Sequence, residues 1–156
     1  MNWGEDIDRF LILSDKHSVR MLMIGGGAVN FHGYQRHSAD VDFWIETTPE
    51  NLQKLILVFQ ELGYDIEAFP PEVINQQQNI SVKFSPVALD LDLITRFDIG
   101  KTFDEAFRES EVVSIAGKDV AKWRVLNYED LIESKRRAGR PKDLLDIQQL
   151  KSIRNG

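Results

Sequence analysis

Two short segments in which aspartates alternate with apolar residues place the strongest constraint on how this chain folds. The first segment covers residues 40–46. Its apolar residues Val41, Phe43 and Ile45 alternate with a second set, which consists of Asp40, Asp42 and Trp44. The second, residues 89–93, reads Leu-Asp-Leu-Asp-Leu. A period of two is that of a β-strand, in which residues i and i+2 point to the same face. We therefore expect two strands, each with an apolar face and an acidic face.

The remaining segments predict a mixture of helices and strands in one domain. The clearest helix starts after Thr48, a suitable N-cap, has Pro49 at its first position, and can end at Gly63. Other helices are predicted at 5–17, 28–33, 103–108, from a cap at Asn127 to a break at Gly139, and at 142–153. Other strands are predicted at 20–24, 64–69, 79–84, 88–94, 111–115 and 120–125. Residues 1–156 therefore read as one α/β (α+β) domain, a mixed β-sheet flanked by helices with further helices at the C-terminus.

The charge and composition of the chain exclude several classes of protein. The 19 basic and 25 acidic residues give a formal net charge of −6. A generic nucleic-acid coat protein is excluded, because such binding depends on neutralising phosphates. The absence of cysteine excludes disulfides, thiolate metal sites and cysteine nucleophiles. The acidic start does not resemble a signal peptide, and no stretch approaches the ~20 apolar residues of a membrane span. We expect a cytoplasmic protein without a membrane partner.

Asp40 and Asp42 are the first candidate metal ligands. Their carboxylates would lie side by side on one strand and repel each other unless a positive charge lies between them. Mg²⁺ suits this position, because it prefers oxygen ligands and completes its coordination with water and phosphate oxygens. The pair therefore indicates metal-assisted phosphoryl or nucleotidyl transfer. The alternative is a pair of solvated aspartates on an exposed strand face, although aspartate is a poor strand former.

A run of glycines and the second acidic strand would complete such a site. Three glycines at 25–27 allow the backbone to approach a ligand, and they precede a short helix whose first N–H groups favour phosphate. A plain turn is the alternative. If the strand at 89–93 lies beside the first acidic strand, Asp92 becomes a third carboxylate, and three acids, two metal ions and a triphosphate would form a two-metal site. Asp90 shares that face and is either a neighbour of Asp92 or the third ligand itself.

The combined pattern resembles the signature of the DNA polymerase β-like nucleotidyltransferase superfamily. The residues that carry the likeness are Gly26-Gly27, then Arg36-x-Ser38-x-Asp40-Val41-Asp42, and later Asp92-Leu93-Ile94. This form looks like a small bacterial branch that includes abortive-infection and toxin–antitoxin nucleotidyltransferases. A softer likeness covers 131–146, where a lysine-bearing helix is followed by Arg140-Pro141-Lys142-Asp143 and Asp146. The resemblance spans roughly residues 20 to 150.

The resemblance implies a nucleotidyltransferase fold with Asp40, Asp42 and Asp92 as catalytic residues and ligands of Mg²⁺ or Mn²⁺. A nucleoside triphosphate would lie on Gly26 and Gly27. An acceptor hydroxyl on RNA, protein or a small molecule would attack its α-phosphate and release pyrophosphate. The chain departs from the pattern at Gly27, because many catalytic members carry a serine there, so the amide is kept and the hydroxyl is lost. A non-catalytic nucleotide-binding protein, or an antitoxin-type protein that binds a partner, is therefore the alternative.

Three more residues are candidates for binding the nucleotide, namely Arg36, Ser38 and Lys135. Arg36 can hold a phosphate with its bidentate fork or lie at the surface. Ser38 can contact the nucleotide or only orient its loop. Lys135 stands on a partly buried helical face, from which it can reach a phosphate, or it can complement the helix dipole. Lys142 and Asp146 are spaced i,i+4, which predicts a weak salt bridge within one helix.

Overall fold

Helices and strands alternate along the described part of the chain. The computed structural model describes residues 4–38, 40–86, 89–114 and 121–156. Within these ranges the strands are β1 (Met21–Ile24), β2 (Asp40–Ile45), β3 (Ile80–Val82), β4 (Asp90–Ile94), β5 (Glu111–Ser114) and β6 (Lys122–Val125). The helices are α1 (Glu5–Lys16), α2 (Gly25–Phe31), α3 (Pro49–Glu61), α4 (Pro71–Ile74), α5 (Phe103–Arg108), α6 (Tyr128–Ala138) and α7 (Pro141–Asn155). This confirms the predicted mixture of helices and strands.

The six strands form one mixed sheet in the order β3-β4-β2-β1-β6-β5. β2 runs parallel to β4, and β1 runs parallel to β6, whereas the other neighbouring pairs are antiparallel. The two acidic strands are therefore direct neighbours, with Asp40 opposite Asp90 and Asp42 opposite Asp92. Paired residues on adjacent strands point to the same face. All four aspartates consequently lie on one face of the sheet.

Two predicted strand pairs are confirmed in the residues that the structure describes. β3 pairs with β4, and β5 pairs with β6, both antiparallel as expected. The predicted turn at Gly117 and Lys118 lies outside the described residues, as do the predicted strand ends at Ala88, Ile115 and Val120.

The apolar face of β2 packs against α1 and α3. The Phe10 ring of α1 lies 6.2 Å from the Phe43 ring of β2 and 6.0 Å from the Phe59 ring of α3, measured between centroids. All three side chains are buried. Full burial of such a side chain stabilises the fold by about 1.5–3 kcal/mol. Because side chains alternate along a strand, this packing directs Asp40 and Asp42 to the opposite face.

Helix α3 begins and ends where the sequence predicts. Thr48 Oγ1 accepts a hydrogen bond of 3.3 Å from the Asn51 amide, and Gly63, with a φ of 101°, follows the last turn. The Asn51 side chain also donates to the carbonyl oxygens of Arg20, at 2.9 Å, and Glu46, at 2.7 Å. One buried amide therefore ties the start of β1 to the end of β2, at the end of these strands opposite to Asp40.

Residues 64–69 do not form the predicted strand. Tyr64 and Phe69 place their rings 5.8 and 6.3 Å from the ring of Phe59 in α3. The apolar residues of the segment therefore cover a helix instead of joining the sheet. The short helix α4, which the sequence analysis did not predict, follows directly.

The C-terminal part forms two helices, as predicted, and these helices contact each other. Asn127 Oδ1 accepts a hydrogen bond of 2.8 Å from the Asp130 amide at the start of α6. Gly139, in the left-handed conformation with a φ of 63°, ends α6, and Pro141 starts α7. Among the helices of the described ranges, none combines the length and the apolar character needed to cross a bilayer.

Candidate active site

Three aspartates meet on one face of the sheet, at the strand ends where β1 finishes and β2 begins. Asp40 and Asp42 come from β2, and Asp92 comes from β4. One carboxylate oxygen from each lies within 4.8 Å of the other two, and all three residues are partly exposed. We call these residues the carboxylate cluster. The parallel pairing of β2 with β4 produces it, so the predicted convergence of the three aspartates is confirmed.

The electrostatics of the carboxylate cluster favour a bound cation. Burial first, and then the negative charges of Asp92 and Asp40, raise the pKa of Asp42 to about 6 against the opposing charge of Lys135. The pKa of Asp40 is also raised, first by burial and then by Asp92 and Asp90. Carboxylates that share so small a space resist full ionisation without a positive charge. Three partly exposed oxygen donors fit a hard divalent ion such as Mg²⁺ or Mn²⁺, so the cluster could bind a metal ion.

Asp90 lies beside the carboxylate cluster and is not one of its three members. It is in register with Asp40 on the shared face. Its Oδ1 atom lies 3.9 Å from Lys83 Nζ, a distant ion pair. Its charge contributes to the raised pKa of Asp40. Asp90 therefore acts on the cluster through charge, and Asp92 supplies the third converging oxygen.

Ser81 is a site residue that the sequence analysis missed. It lies directly opposite Asp92 in the β3–β4 pair, and its hydroxyl donates to Asp92 Oδ1. This bond orients the carboxylate that β4 contributes. The signal was present, because the predicted pairing of 79–84 with 88–94 places Ser81 near Asp92.

The three glycines form the first turn of α2, so the helix starts earlier than the predicted 28–33. A Cβ atom at Gly25 would lie 2.5 Å from Asp42 Oδ2, and one at Gly26 would lie 2.7 Å from Ser38 Oγ. A Cβ atom at Gly27 would meet the Met23 sulfur at 2.8 Å. Glycine is therefore needed at 25 and 26 so that α2 can approach site residues. At Gly27, by contrast, a side chain would point toward Met23 in the core.

Replacing Gly25 with alanine is expected to displace the carboxylate of Asp42. Gly25 has a φ of 60°, so alanine costs about 1–2 kcal/mol from the left-handed backbone alone, and its Cβ would also overlap Asp42 Oδ2. Gly139→Ala is the matched control, because its φ is 63° and its nearest new contact is at 3.6 Å. We expect both variants to lose stability in urea, and only Gly25→Ala to lose Mn²⁺ affinity in calorimetry. Equal Mn²⁺ affinity in the two variants would contradict this geometry.

Ser38 and Arg36 lie in the loop that leads into β2. The Ser38 hydroxyl donates to the Asp40 carbonyl oxygen at 3.0 Å, so it orients the chain just before the cluster. The Arg36 amide donates to Asn30 Oδ1 at 3.0 Å. The Arg36 guanidinium donates from Nη2 to Asp146 Oδ2 at 3.0 Å, and its Nε lies 2.9 Å from Asp146 Oδ1. Ser38 is therefore next to the cluster, whereas Arg36 faces a carboxylate of α7.

A set of charged side chains with a buried centre links the two C-terminal helices to this loop. We call it the ion-pair network, and its members are Arg36, Lys135, Arg140, Asp143 and Asp146. Lys135 Nζ lies 3.0 Å from Asp146 and 3.5 Å from Asp143, and the side chains of all three are at most 8% exposed. Burial tends to raise the pKa of Asp143, but the hydrogen bonds from Arg140 and the charge of Lys135 outweigh it, so that pKa is lowered.

The predicted Lys142–Asp146 salt bridge is wrong. Asp146 is 2% exposed and pairs instead with Arg36 and Lys135, which lie 110 and 11 positions away in sequence. Local spacing on α7 could not reveal a partner from the loop before β2. Lys142 acts on the carboxylate cluster instead, because its charge opposes the rise in the pKa of Asp40.

No protein-family model matches this chain, and no curated protein sequence matches it. What the site can do is therefore inferred from its own residues.

Proposed function

We propose that this protein is a metal-dependent nucleotidyltransferase that moves a nucleoside monophosphate from a nucleoside triphosphate to a hydroxyl acceptor. The observation that carries the proposal is the carboxylate cluster, in which Asp40, Asp42 and Asp92 converge from two paired strands. The raised pKa of Asp42 supports it, because burial first and then repulsion from Asp92 and Asp40 disfavour the ionised carboxylate, and a cation would offset both effects. The resemblance to polymerase β-like nucleotidyltransferases agrees with this chemistry.

The proposed reaction forms one bond to phosphorus and breaks another. The acceptor oxygen bonds to the α-phosphorus, the bond from that phosphorus to the bridging oxygen breaks, and pyrophosphate leaves. A carboxylate of the cluster takes the proton of the acceptor hydroxyl. Mg²⁺ or Mn²⁺ held by Asp40, Asp42 and Asp92 would neutralise charge on the phosphates and acidify the acceptor hydroxyl. Ser81 keeps the Asp92 carboxylate oriented, and Ser38 fixes the backbone at Asp40.

Positive charges near the cluster support a phosphate-bearing substrate. The ion-pair network contains three basic and two acidic side chains and therefore carries one net positive charge. Lys135 lies close enough to lower the pKa of Asp42. Lys142 and Lys83 lower the pKa of Asp40 from other elements. We propose that Gly26, Gly27, Arg36, Ser38 and Lys135 form the side of the site that receives the triphosphate.

Pyrophosphate release tests the proposed reaction. We expect wild-type protein with Mg²⁺ or Mn²⁺ to release pyrophosphate from at least one nucleoside triphosphate and to transfer α-labelled nucleotide to an acceptor from a panel of RNAs, proteins and small hydroxyl compounds. Asp42→Asn should lower the rate by about a thousandfold or more, since several kcal/mol of charge stabilisation is lost. Asp98→Asn, which changes an exposed aspartate paired with Arg137, should keep the wild-type rate. An Asp42→Asn variant as active as the wild type would sink the proposal.

A non-catalytic nucleotide-binding protein is the second candidate. Two observations favour it: Gly27 faces Met23 and offers no hydroxyl, and both Arg36 and Lys135 already pair with Asp146. Metal-dependent nucleotide binding without any pyrophosphate release would favour this candidate. An antitoxin-type role, or a place in a phage-defence system, would then require a partner, and a net charge of −6 suits a basic protein. Capture of such a partner by the wild type, compared with Asp42→Asn, would show whether the site takes part.

A further inference from the structure

A concave surface lies at the end of β1 opposite to the carboxylate cluster. The cluster adjoins Ile24, which pairs with Asp42, whereas this cleft adjoins Arg20 and Met21 at the start of the strand. Its volume is about 600 Å³. Its walls come from α1, α3, α5, β5 and β6 as well as from the segment before β1. The proposed transfer reaction uses none of these residues.

The walls of this cleft are rich in positive charge on an otherwise acidic protein. We call it the basic cleft, because four basic residues line it against one acidic residue: Arg20, Lys54, Lys122 and Arg124, with Asp15. Arg20 is paired with Glu46 at 3.1 Å and Asp104 at 2.8 Å. Within the described ranges, no carboxylate lies within 4.0 Å of the charged groups of the other three. Three charges from two elements thus face the cleft without an acidic partner.

The ring of Phe107 restrains the two arginines of the basic cleft, Arg20 and Arg124. The guanidinium carbons of Arg20 and Arg124 lie 4.4 and 4.7 Å from the centroid of the Phe107 ring. Arg124 also donates to the Phe107 carbonyl oxygen at 3.4 Å and to Ser110 Oγ at 3.3 Å. Stacking and hydrogen bonding restrict the guanidinium before any ligand arrives, and a restrained donor loses less freedom when it binds.

Ser14 supplies an independent indication of a ligand. It lines the basic cleft from α1 and is 1% exposed. Among the residues that the structure describes, its hydroxyl has no hydrogen-bond partner. Buried hydroxyls almost always have a partner, and one without a partner costs free energy. A ligand oxygen in the basic cleft would satisfy this hydroxyl.

We propose that the basic cleft binds a small phosphate-bearing ligand, separately from the carboxylate cluster. A phosphate group presents three acceptor oxygens and up to two negative charges, so it can engage donors from several directions. The basic cleft offers Lys54 from α3, Lys122 and Arg124 from β6, and the Ser14 hydroxyl from α1. A planar carboxylate would satisfy a single guanidinium and leave the other donors without partners.

Calorimetric titration with inorganic pyrophosphate in EDTA tests the proposal, because metal-free buffer keeps the carboxylate cluster from contributing. We expect wild-type protein to bind pyrophosphate, and Lys54→Gln/Lys122→Gln to bind it roughly tenfold or more weakly. Arg9→Gln/Lys151→Gln removes two exposed charges elsewhere and should bind as wild type does. Asp40→Asn/Asp42→Asn should also bind as wild type does, so that failure here and failure of the proposed transfer activity can be told apart.

Ser14→Ala separates ligand binding from a structural role. Removing a buried hydroxyl without a partner should leave the melting temperature of the free protein unchanged or raise it. The same change should weaken pyrophosphate binding. Any of three results would overturn the proposal. They are no pyrophosphate binding by the wild type, equal weakening in Lys54→Gln/Lys122→Gln and in its control Arg9→Gln/Lys151→Gln, and citrate binding as tight as pyrophosphate binding.

Discussion

Asp42→Asn will stabilise the metal-free protein at neutral pH, although it removes a residue that the proposed reaction needs. The carboxyl of Asp42 has a pKa of about 6 in the fold, against 3.8 for an ordinary aspartate, mainly because it is buried and next because Asp92 and Asp40 repel its charge. The stabilising effect of the bound proton is fully present below about pH 4 and is lost as the pH rises through about 6. Above pH 6 the ionised carboxylate opposes folding.

The expected gain for Asp42→Asn at pH 7 is about 1–2 kcal/mol once solvent screening is included. For a chain of this size that corresponds to a melting temperature roughly 3 to 6 °C higher. Thermal unfolding in EDTA between pH 3.5 and 8 measures it. The difference in melting temperature between Asp42→Asn and wild type should grow between about pH 4 and 6 and stay constant above pH 6. A variant that is less stable than wild type at pH 7 in EDTA would contradict the repulsion in the carboxylate cluster.

Asp146→Asn will destabilise the protein more than any other single charge removal considered above. The variant leaves the buried ammonium of Lys135 and the guanidinium of Arg36 without their shared carboxylate. Breaking a buried pair by removing one partner costs about 3–5 kcal/mol when the remaining charge has no other partner, and we expect the lower part of this range because Asp143 stays 3.5 Å from Lys135 Nζ. Unfolding in urea should show this loss directly.

A matched control and a rescue separate this effect from a general loss of charge. Asp98→Asn also removes an aspartate that pairs with an arginine, but Asp98 is exposed, so we expect little change. Asp146→Leu combined with Lys135→Met removes both members of the buried Lys135–Asp146 pair, while Asp143 keeps its bond to Arg140. This double variant should recover the part of the lost stability that comes from Lys135, whereas Arg36 still lacks its carboxylate. A cost for Asp146→Asn no larger than that for Asp98→Asn would show that the network does not hold the C-terminal helices.

The carboxylate cluster could be predicted from the sequence because its geometry follows from strand periodicity. Alternation places Asp40 and Asp42 on one face, and a neighbouring strand with the same alternation brings Asp92 to them. The choice of Asp92 over Asp90 depends on side-chain positions, and alternation alone left it open. Ser81 was within reach of the same reasoning, because the predicted hairpin partner of β4 carries it.

The ion-pair network could not be predicted, because its partners come from distant parts of the chain. Arg36 and Asp146 are 110 positions apart, and only the docking of α7 beside the loop before β2 unites them. The spacing of Lys142 and Asp146 on one helix favoured a local pair that the fold does not form. The conformation of residues 64–69 was unpredictable for the same reason. Their apolar residues suit a strand, but in the fold Tyr64 and Phe69 pack against Phe59 of α3.

Metal titration is the most direct test of the carboxylate cluster as the centre of this protein's chemistry. Thermal melting would be recorded for wild type and Asp40→Asn/Asp42→Asn with increasing Mg²⁺ or Mn²⁺, alone and with each nucleoside triphosphate. A ligand at ~100 times its Kd stabilises the native state by roughly 2.7 kcal/mol, which is a clear shift for a domain of this size. We expect a metal-dependent rise in the melting temperature of the wild type that is larger with one nucleotide and absent from the double variant. No rise in the wild type, or an equal rise in the double variant, would contradict it.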